Sequence, residues 1–454
     1  MTQLRIFLPL LAALLISACG GESALPNPTG KASVRAINAI KASSTVDFRI
    51  EERSIGAIEY REISTGDRFD DFTYTFNFDL FFPGDAEPTR LISESIDFVA
   101  NQDYTLLLSG TVAAPSVTVW EMPERVFDTG ETVFQARFAH TSDSLAAQSL
   151  DVYFLPEGTM PVAGEESATV TFGNSTPPID FEAGDYVLTL TTAGDINDVL
   201  FTSGTTTIGA LEDLIVTPFD GTPNDTAPLV MLLLGSNGNE FLIPDPNSPS
   251  QIQFLHAAAD AGDVDVYDDV DLMSQVVDDL TYQQLTPEQT LAQLDGTYSF
   301  TPFDGTGTVF VEREVALQNS IRYRMILSGS AGEYAAVLIT PDRRPLDTAA
   351  KLVVSNETQN FGFVTLYAMD PGEVPDATSP VLRSGLTSGF GPVVLLLEDG
   401  TFDLYVSESG TDPVNLLAGP VTIDVVAGDV LDFVVFDNAA DPAIVDFVEL
   451  VETP

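Results

Sequence analysis

The sequence predicts an all-β protein built from about four tandem, immunoglobulin-like antiparallel β-sandwich domains. Three observations favour this fold: short segments of alternating polar and apolar residues, turns rich in glycine and acidic residues, and one pattern that recurs along the chain. The recurrence has a spacing of about 100–114 residues, which is the size of a complete sandwich and not of a solenoid repeat.

Each copy of the pattern opens with a strand, such as residues 252–256, and continues after a short loop with a strand of the type Val264–Tyr267. Residue 265 of that second strand is a marker position whose counterparts recur in every copy. The copies predict domains at 33–125, 132–243, 251–341 and 350–454, joined by proline-containing segments that discourage continued strand pairing. The marker positions are occupied by Asp47, Asp151, Asp265 and Thr365.

The N-terminus predicts an exported and lipid-anchored protein. Residues 1–18 have the layout of a signal peptide, with Arg5 ahead of an apolar run that is too short to span a bilayer. Residues 16–19 resemble the lipobox of bacterial lipoproteins, which implies acyl chains on Cys19, the only cysteine. Because Gly20 and not Asp follows, the resemblance implies the outer membrane, and residues 19–32 would form a tether.

The charge balance excludes several classes of partner. The chain has 18 basic and 68 acidic residues, for a net charge of −50. Such a surface repels nucleic acid and anionic lipid head groups, and it repels other copies of itself, so a monomer is expected. A protein adapted to salty water would have the same composition. With Cys19 as the sole cysteine, the mature domains have no disulfides.

Residues 254–267, Phe-Leu-His-Ala-Ala-Ala-Asp-Ala-Gly-Asp-Val-Asp-Val-Tyr, resemble the bacterial family known as domain of unknown function 4397. The resemblance spans nearly the whole mature chain and is strongest in the third domain. It implies an immunoglobulin-like sandwich and an exported protein, and it implies no reaction. The first and fourth domains depart from the family pattern, with Asn38 and Asn356 in place of histidine and Thr365 in place of aspartate.

An acidic cluster in the third domain is the one candidate metal site. Calcium binds six to eight oxygen ligands, and aspartate-rich loops supply them. The alternative is a polar sheet edge with solvated loops, because carboxylates are abundant everywhere in this chain. The candidate ligands are Asp260, Asp263, Asp265 and Asp268.

No catalytic residue is predicted, and the chain is not expected to be an enzyme or to need a cofactor. The two histidines, His140 and His256, occupy the same place in two domains where the other two have asparagine. Both residue types hydrogen-bond to backbone groups, so a structural role is expected over metal binding or proton transfer. The single tryptophan, Trp120, is a candidate for an exposed sugar platform.

These observations predict a lipid-anchored cell-envelope protein that presents acidic sandwiches as a non-catalytic spacer or as an adhesion or binding module. The partner would be a cell-surface glycan, a protein or calcium. The alternative function is calcium or carbohydrate binding by loops of the third domain. Four sandwiches placed end to end on stiff linkers would reach more than about 100 Å from the membrane.

Overall fold

The structure is a computed structural model that describes residues 27–85, 87–303, 308–330, 332–411 and 414–451. Nearly all of its regular structure is β-strand, which confirms the predicted all-β fold class. Within the described residues, the strands form eight small sheets that pair into four sandwiches. Their strands cover residues 31–123, 133–243, 251–339 and 350–449.

The first two domains contain the following strands. Domain 1 has β1 (Lys31–Asn38), β2 (Val46–Ile50), β3 (Arg53–Ile58), β4 (Asp67–Asp70), β5 (Thr73–Leu80), β6 (Thr89–Asp97), β7 (Gln102–Thr111) and β8 (Ala114–Pro123). Domain 2 has β9 (Val133–Phe138), β10 (Ser149–Pro156), β11 (Ala168–Thr171), β12 (Ile179–Glu182), β13 (Gly184–Thr192), β14 (Val199–Thr202), β15 (Thr206–Ile208), β16 (Asp213–Asp220), β17 (Leu229–Gly235) and β18 (Glu240–Ile243). A short 3₁₀ helix, Asp143–Leu145, also lies in domain 2.

The last two domains contain eight strands each among the described residues. Domain 3 has β19 (Gln251–His256), β20 (Val264–Tyr267), β21 (Gln275–Leu280), β22 (Gln289–Thr290), β23 (Asp295–Pro302), β24 (Val311–Ala316), β25 (Arg322–Ser328) and β26 (Ala335–Ile339). Domain 4 has β27 (Ala350–Asn356), β28 (Phe363–Met369), β29 (Arg383–Thr387), β30 (Val393–Leu397), β31 (Gly400–Glu408), β32 (Leu416–Val425), β33 (Val430–Asp437) and β34 (Val445–Glu449).

The same strand topology recurs in all four domains. In domain 1, one sheet has the order β4-β1-β7-β8 and the other has the order β3-β2-β5-β6. Domains 3 and 4 repeat both orders strand for strand, and domain 2 adds β15 and β18 at sheet edges. The sheet that contains the first strand is called the front sheet of each domain.

The front sheets are not wholly antiparallel, as the sequence had suggested. The first strand of domains 1, 3 and 4 runs parallel to the seventh, as in the register of Val34 with Tyr104 and of Ile252 with Tyr323. In domain 2 the parallel partner is the eighth strand, β16, because β15 is inserted before it. The same first strand pairs antiparallel with the fourth strand, so it lies between two neighbours of opposite direction. A strand that bridges two different partners satisfies both rows of its backbone hydrogen-bonding groups.

Strand alternation explains how each sandwich builds its own core. In β20, Val264 and Val266 have no exposed surface, and they pack with Phe254 and Phe300 from both sheets. Burial of each such side chain stabilises the domain by about 1.5–3 kcal/mol. Corresponding clusters fill the other three sandwiches, so every domain has an independent core.

The domains also pack in pairs through the outer faces of their front sheets. We call the contact between domains 1 and 2 the first junction and that between domains 3 and 4 the second junction. Ile37 and Leu107 meet Ile215 and Phe219 in the first junction. An equivalent apolar cluster, containing Leu255, Ile326, Val434 and Phe436, fills the second.

The 340–349 linker, between β26 and β27, contacts domain 1. Arg344 Nη1 donates to the main-chain oxygens of Lys41 at 2.9 Å and Ser43 at 2.7 Å. Gly84 of domain 1 also lies against the carboxylate of Glu398 in domain 4. The fourth domain and its linker therefore fold back onto the first, which differs from sandwiches placed end to end on stiff linkers.

Two further features complete the fold. Thr286 lies in a loop that precedes strand β22, where its hydroxyl accepts the Phe254 N–H at 2.9 Å. In the part of the chain that the structure describes, no helix has the length and apolar character needed to cross a membrane.

Candidate functional site

The predicted lipidation site, Cys19, and the signal peptide lie outside the described residues. Their prediction therefore depends on the sequence alone. The described chain starts at Asn27, a few residues before strand β1.

The four predicted calcium ligands are placed individually and not as one cage. Asp265 is buried, and its carboxylate accepts the backbone N–H of Asp279 at 3.1 Å. Asp260 accepts the Tyr334 hydroxyl at 3.1 Å. Asp260 and Asp263 are exposed, and Asp268 is half-buried. Within the described ranges, no three or more His, Cys, Asp or Glu side chains form a group suited to a metal ion.

The marker aspartates tie the second strand of a domain to neighbouring elements. Asp151 accepts the Thr169 hydroxyl of β11 at 2.5 Å and the Gly194 N–H at 2.8 Å. Asp47 accepts the Ser54 hydroxyl of β3 at 2.5 Å. Asp265 is at the equivalent position of β20, and its carboxylate likewise contacts a neighbouring strand, because it accepts the Asp279 N–H of β21.

The histidine and asparagine positions are structural in all four domains. His256 Nε2 donates to the Gly262 oxygen at 2.6 Å, and its Nδ1 accepts the N–H of the residue two positions later at 3.3 Å. Asn38 and Asn356 accept the corresponding N–H at 3.0 and 3.1 Å. Burial lowers the pKa of both His140 and His256, which favours the neutral ring.

Trp120 is not available as a sugar platform. Its side chain is 5% exposed, because it is buried in the first junction. The indole Nε1 donates to the Gly173 oxygen of domain 2 at 2.9 Å. This tryptophan therefore holds two domains together.

The two junctions share a tyrosine contact that the sequence analysis missed. In the first junction, the Tyr60 hydroxyl donates to the main-chain oxygen of Asp220 at 3.0 Å, and its ring meets Phe219 edge to face with centroids 5.7 Å apart. In the second, Tyr282 donates to Asp437 O at 2.6 Å. The Tyr282 ring lies 5.8 Å from that of Phe436, also edge to face. Each tyrosine is followed by a residue with positive φ, Arg61 or Gln283.

Buried arginines occupy the polar parts of both junctions. Arg324 of domain 3 pairs with Asp432 of domain 4 at 2.6 Å, and Arg35 of domain 1 pairs with Asp213 of domain 2 at 3.3 Å. Arg137 is fully buried beside Arg35, and burial followed by that like charge lowers its pKa to about 9. A buried charge that loses its partner costs several kcal/mol, so these pairs favour one arrangement of the domains.

A polar cleft of about 430 Å³ opens at the end of the second junction. The Asp437 carboxylate on its wall accepts the backbone N–H groups of Gln359 at 2.8 Å and Asn360 at 3.2 Å. Its walls come from loops of domain 3 and domain 4, and they include Ala259, Asp260, Ser330, Asn360, Asp437 and Asn438.

One buried carboxyl group lies next to these loops in sequence. Glu357 has no exposed surface, and neither carboxylate oxygen meets a hydrogen-bond partner within the described residues. Burial raises the pKa of Glu357 to about 8. A carboxyl group in such a place is held neutral at pH 7.

Residues 250–367 match the family model described as Domain of unknown function (DUF4397). The match covers domain 3 and extends through most of the first two strands of domain 4. It bears out the resemblance of this segment to that family. No curated protein matches the chain at a significant level.

Proposed function

We propose that the protein is a non-catalytic envelope lipoprotein, anchored through Cys19, whose four sandwiches act together as one acidic binding module. The observation that carries the proposal is the pairing of domains across two buried junctions, with the 340–349 linker fixed to domain 1 by Arg344. Such an arrangement presents loops of several domains in fixed relative positions, as a binding module requires and a simple spacer does not.

The distribution of cationic side chains supports the same proposal. Several arginines form ion pairs between domains and are therefore withdrawn from the surface. The exposed surface keeps a large excess of carboxylates. Such a surface disfavours nucleic acid and acidic glycans as partners and favours partners with cationic groups.

The absence of an enzymatic role is part of the proposal. Both histidines lie in buried, hydrogen-bonded positions of the framework. Glu357 is also fully buried. The histidines therefore serve the framework, and neither they nor Glu357 form an exposed pair of nucleophile and base.

Metabolic labelling with a fatty acid tests the anchor. We expect label in the wild-type protein and none in Cys19→Ser, with the mature mass increased by the acyl groups. Protease treatment of intact cells then separates surface display from a periplasmic location. A wild-type protein without acyl groups would refute the anchor.

The alternative function is calcium or carbohydrate binding by domain 3 loops, and thermal melting separates it from the first. A calcium protein would melt at a lower temperature after chelation of the ion. We expect no shift, because among the described residues no three acidic, histidine or cysteine side chains form a group suited to a metal ion, and two of the four aspartates already accept protein hydrogen bonds.

A further inference from the structure

The two junctions are built from equivalent loops. The segment from Asn38 to Val46 in domain 1 has the same length as that from His256 to Val264 in domain 3. The N–H of Arg61 donates to Asn38 O at 2.8 Å, and the N–H of Gln283 donates to His256 O at the same distance. Every position of one loop can therefore be matched to a position of the other.

In the first junction, this loop is covered by a peptide segment of the chain itself. Arg344 is 7% exposed, its guanidinium donates to Lys41 O and Ser43 O, and it lies 5.9 Å from the Tyr60 ring centroid. The N–H of Asp347 donates to the main-chain oxygen of Ala42 at 2.8 Å. An extended segment thus binds by one arginine and by its backbone.

The same segment also contacts domain 2. The N–H of Arg343 donates to Asn224 Oδ1 at 2.6 Å, and Asn224 Nδ2 donates to Asp342 at 3.3 Å. Residues 342–347 therefore contact both the 38–46 loop of domain 1 and the loop of domain 2 that contains Asn224.

In the second junction, the equivalent loops border the open cleft. Ala259 and Asp260 take the places of Lys41 and Ala42, and the cleft wall continues into Asp437 and Asn438, which match Asp220 and the residue after it. The exchange removes a lysine and adds a carboxylate. The open cleft is therefore more acidic than the covered loops of the first junction.

We propose that this cleft binds an extended, arginine-bearing peptide segment of a partner protein, as the first junction binds residues 342–347. The guanidinium would donate to the main-chain oxygen of Ala259 and pair with the carboxylate of Asp260, both of which line the cleft. Arginine suits this place because its planar guanidinium has five N–H donors, which match carbonyl and carboxylate oxygens.

The inference deepens the proposed binding role and rests on it for its biological setting. Its test uses the full mature chain with Cys19→Ser, so a failure of the cleft says nothing against the anchor. The probe is a fluorescent peptide with the sequence of residues 341–347, Pro-Asp-Arg-Arg-Pro-Leu-Asp, whose binding is followed by anisotropy.

We expect saturable binding that Asp260→Lys weakens about tenfold or more, which corresponds to about 1.4 kcal/mol. Asp271→Lys, an exposed aspartate of the same domain, makes the identical charge change and should leave affinity within about twofold. A peptide with the residue corresponding to Arg344 changed to alanine should bind about tenfold more weakly.

Three results would overturn the proposal. The first is no binding of the peptide up to about 1 mM. The second is equal loss of affinity in Asp260→Lys and Asp271→Lys, which would reflect charge alone. The third is a concentration-dependent dimer that Asp260→Lys dissociates, which would assign the cleft to a second copy of this chain.

Discussion

Tyr282 of domain 3 donates its hydroxyl to the main-chain oxygen of Asp437 in domain 4, 2.6 Å away. Tyr60 makes the same contact with Asp220 across the first junction, at 3.0 Å. The sandwiches therefore pair by one repeated geometry, and the protein is organised as two similar double-domain units joined by linkers.

The tyrosine contact should contribute more to the second junction than to the first. We expect Tyr282→Phe to lower stability by about 1 kcal/mol, because it removes the side-chain donor to Asp437 O. Tyr60→Phe should cost less, because the Arg61 guanidinium still donates to Asp220 O at 2.5 Å. Differential scanning calorimetry checks this. Tyr367→Phe, in strand β28 of domain 4 and outside the junction, is the control. An equal loss of stability there would mean that the junction contact is unimportant.

The conserved geometry of the His and Asn positions predicts that His256→Asn folds normally. Asparagine makes the same contact at Asn38 and Asn356, whereas His256→Ala leaves the Ala258 N–H and Gly262 oxygen without their partner. We expect His256→Ala to lose about 1–3 kcal/mol of stability and His256→Asn clearly less. Urea unfolding of both variants measures the difference.

His256 also predicts a pH dependence on the acid side. Its pKa is lowered in the folded protein from the ordinary 6.5, so the unfolded chain binds more protons. Stability from this group is complete above about pH 6.5 and is lost as the pH falls through the folded pKa. The difference in unfolding free energy between wild type and His256→Asn should show this loss as the pH falls. A difference that does not change with pH would contradict it.

Glu357 predicts the opposite dependence. Burial raises its pKa from 4.5 to about 8, so the folded protein binds more protons between these values. Wild type should therefore lose stability relative to Glu357→Gln as the pH rises from about 5 to 8. Melting temperatures of both proteins across this range, with Glu165→Gln at an exposed position as control, provide the test.

Trp120 reports on the first junction because it is the only tryptophan in the chain. Its indole is 5% exposed and hydrogen-bonded to Gly173. We expect blue-shifted emission and poor quenching by acrylamide in the native protein. Emission typical of a solvated indole under native conditions would show that domains 1 and 2 are apart.

The sequence was sufficient for the fold and insufficient for the domain arrangement. Alternation in Val264–Tyr267 and the recurrence of Asp47, Asp151 and Asp265 predicted strands and repeated sandwiches, because those signals are local. Arg344 and Lys41 are about 300 residues apart, so no local pattern could have predicted their contact.

The surroundings of Asp265 and Trp120 could not be predicted, for a related reason. Alternation in β20 places Asp265 on the face opposite Val264 and Val266, yet Asp265 is buried and its carboxylate accepts the Asp279 N–H. Trp120 lies on the outer face of its sheet, and that face is covered by a second domain. Alternation gives the side of a sheet and says nothing of what packs against that side.

Small-angle X-ray scattering of the Cys19→Ser mature chain tests the central claim, the folded-back pairing of four domains. A rod of four sandwiches, each about 35–40 Å long, would have a radius of gyration of about 40 Å or more. A fully compact chain of this length would have about 22 Å. We predict a value below about 32 Å that increases in Arg344→Ala. A wild-type value near that of the rod would contradict the account.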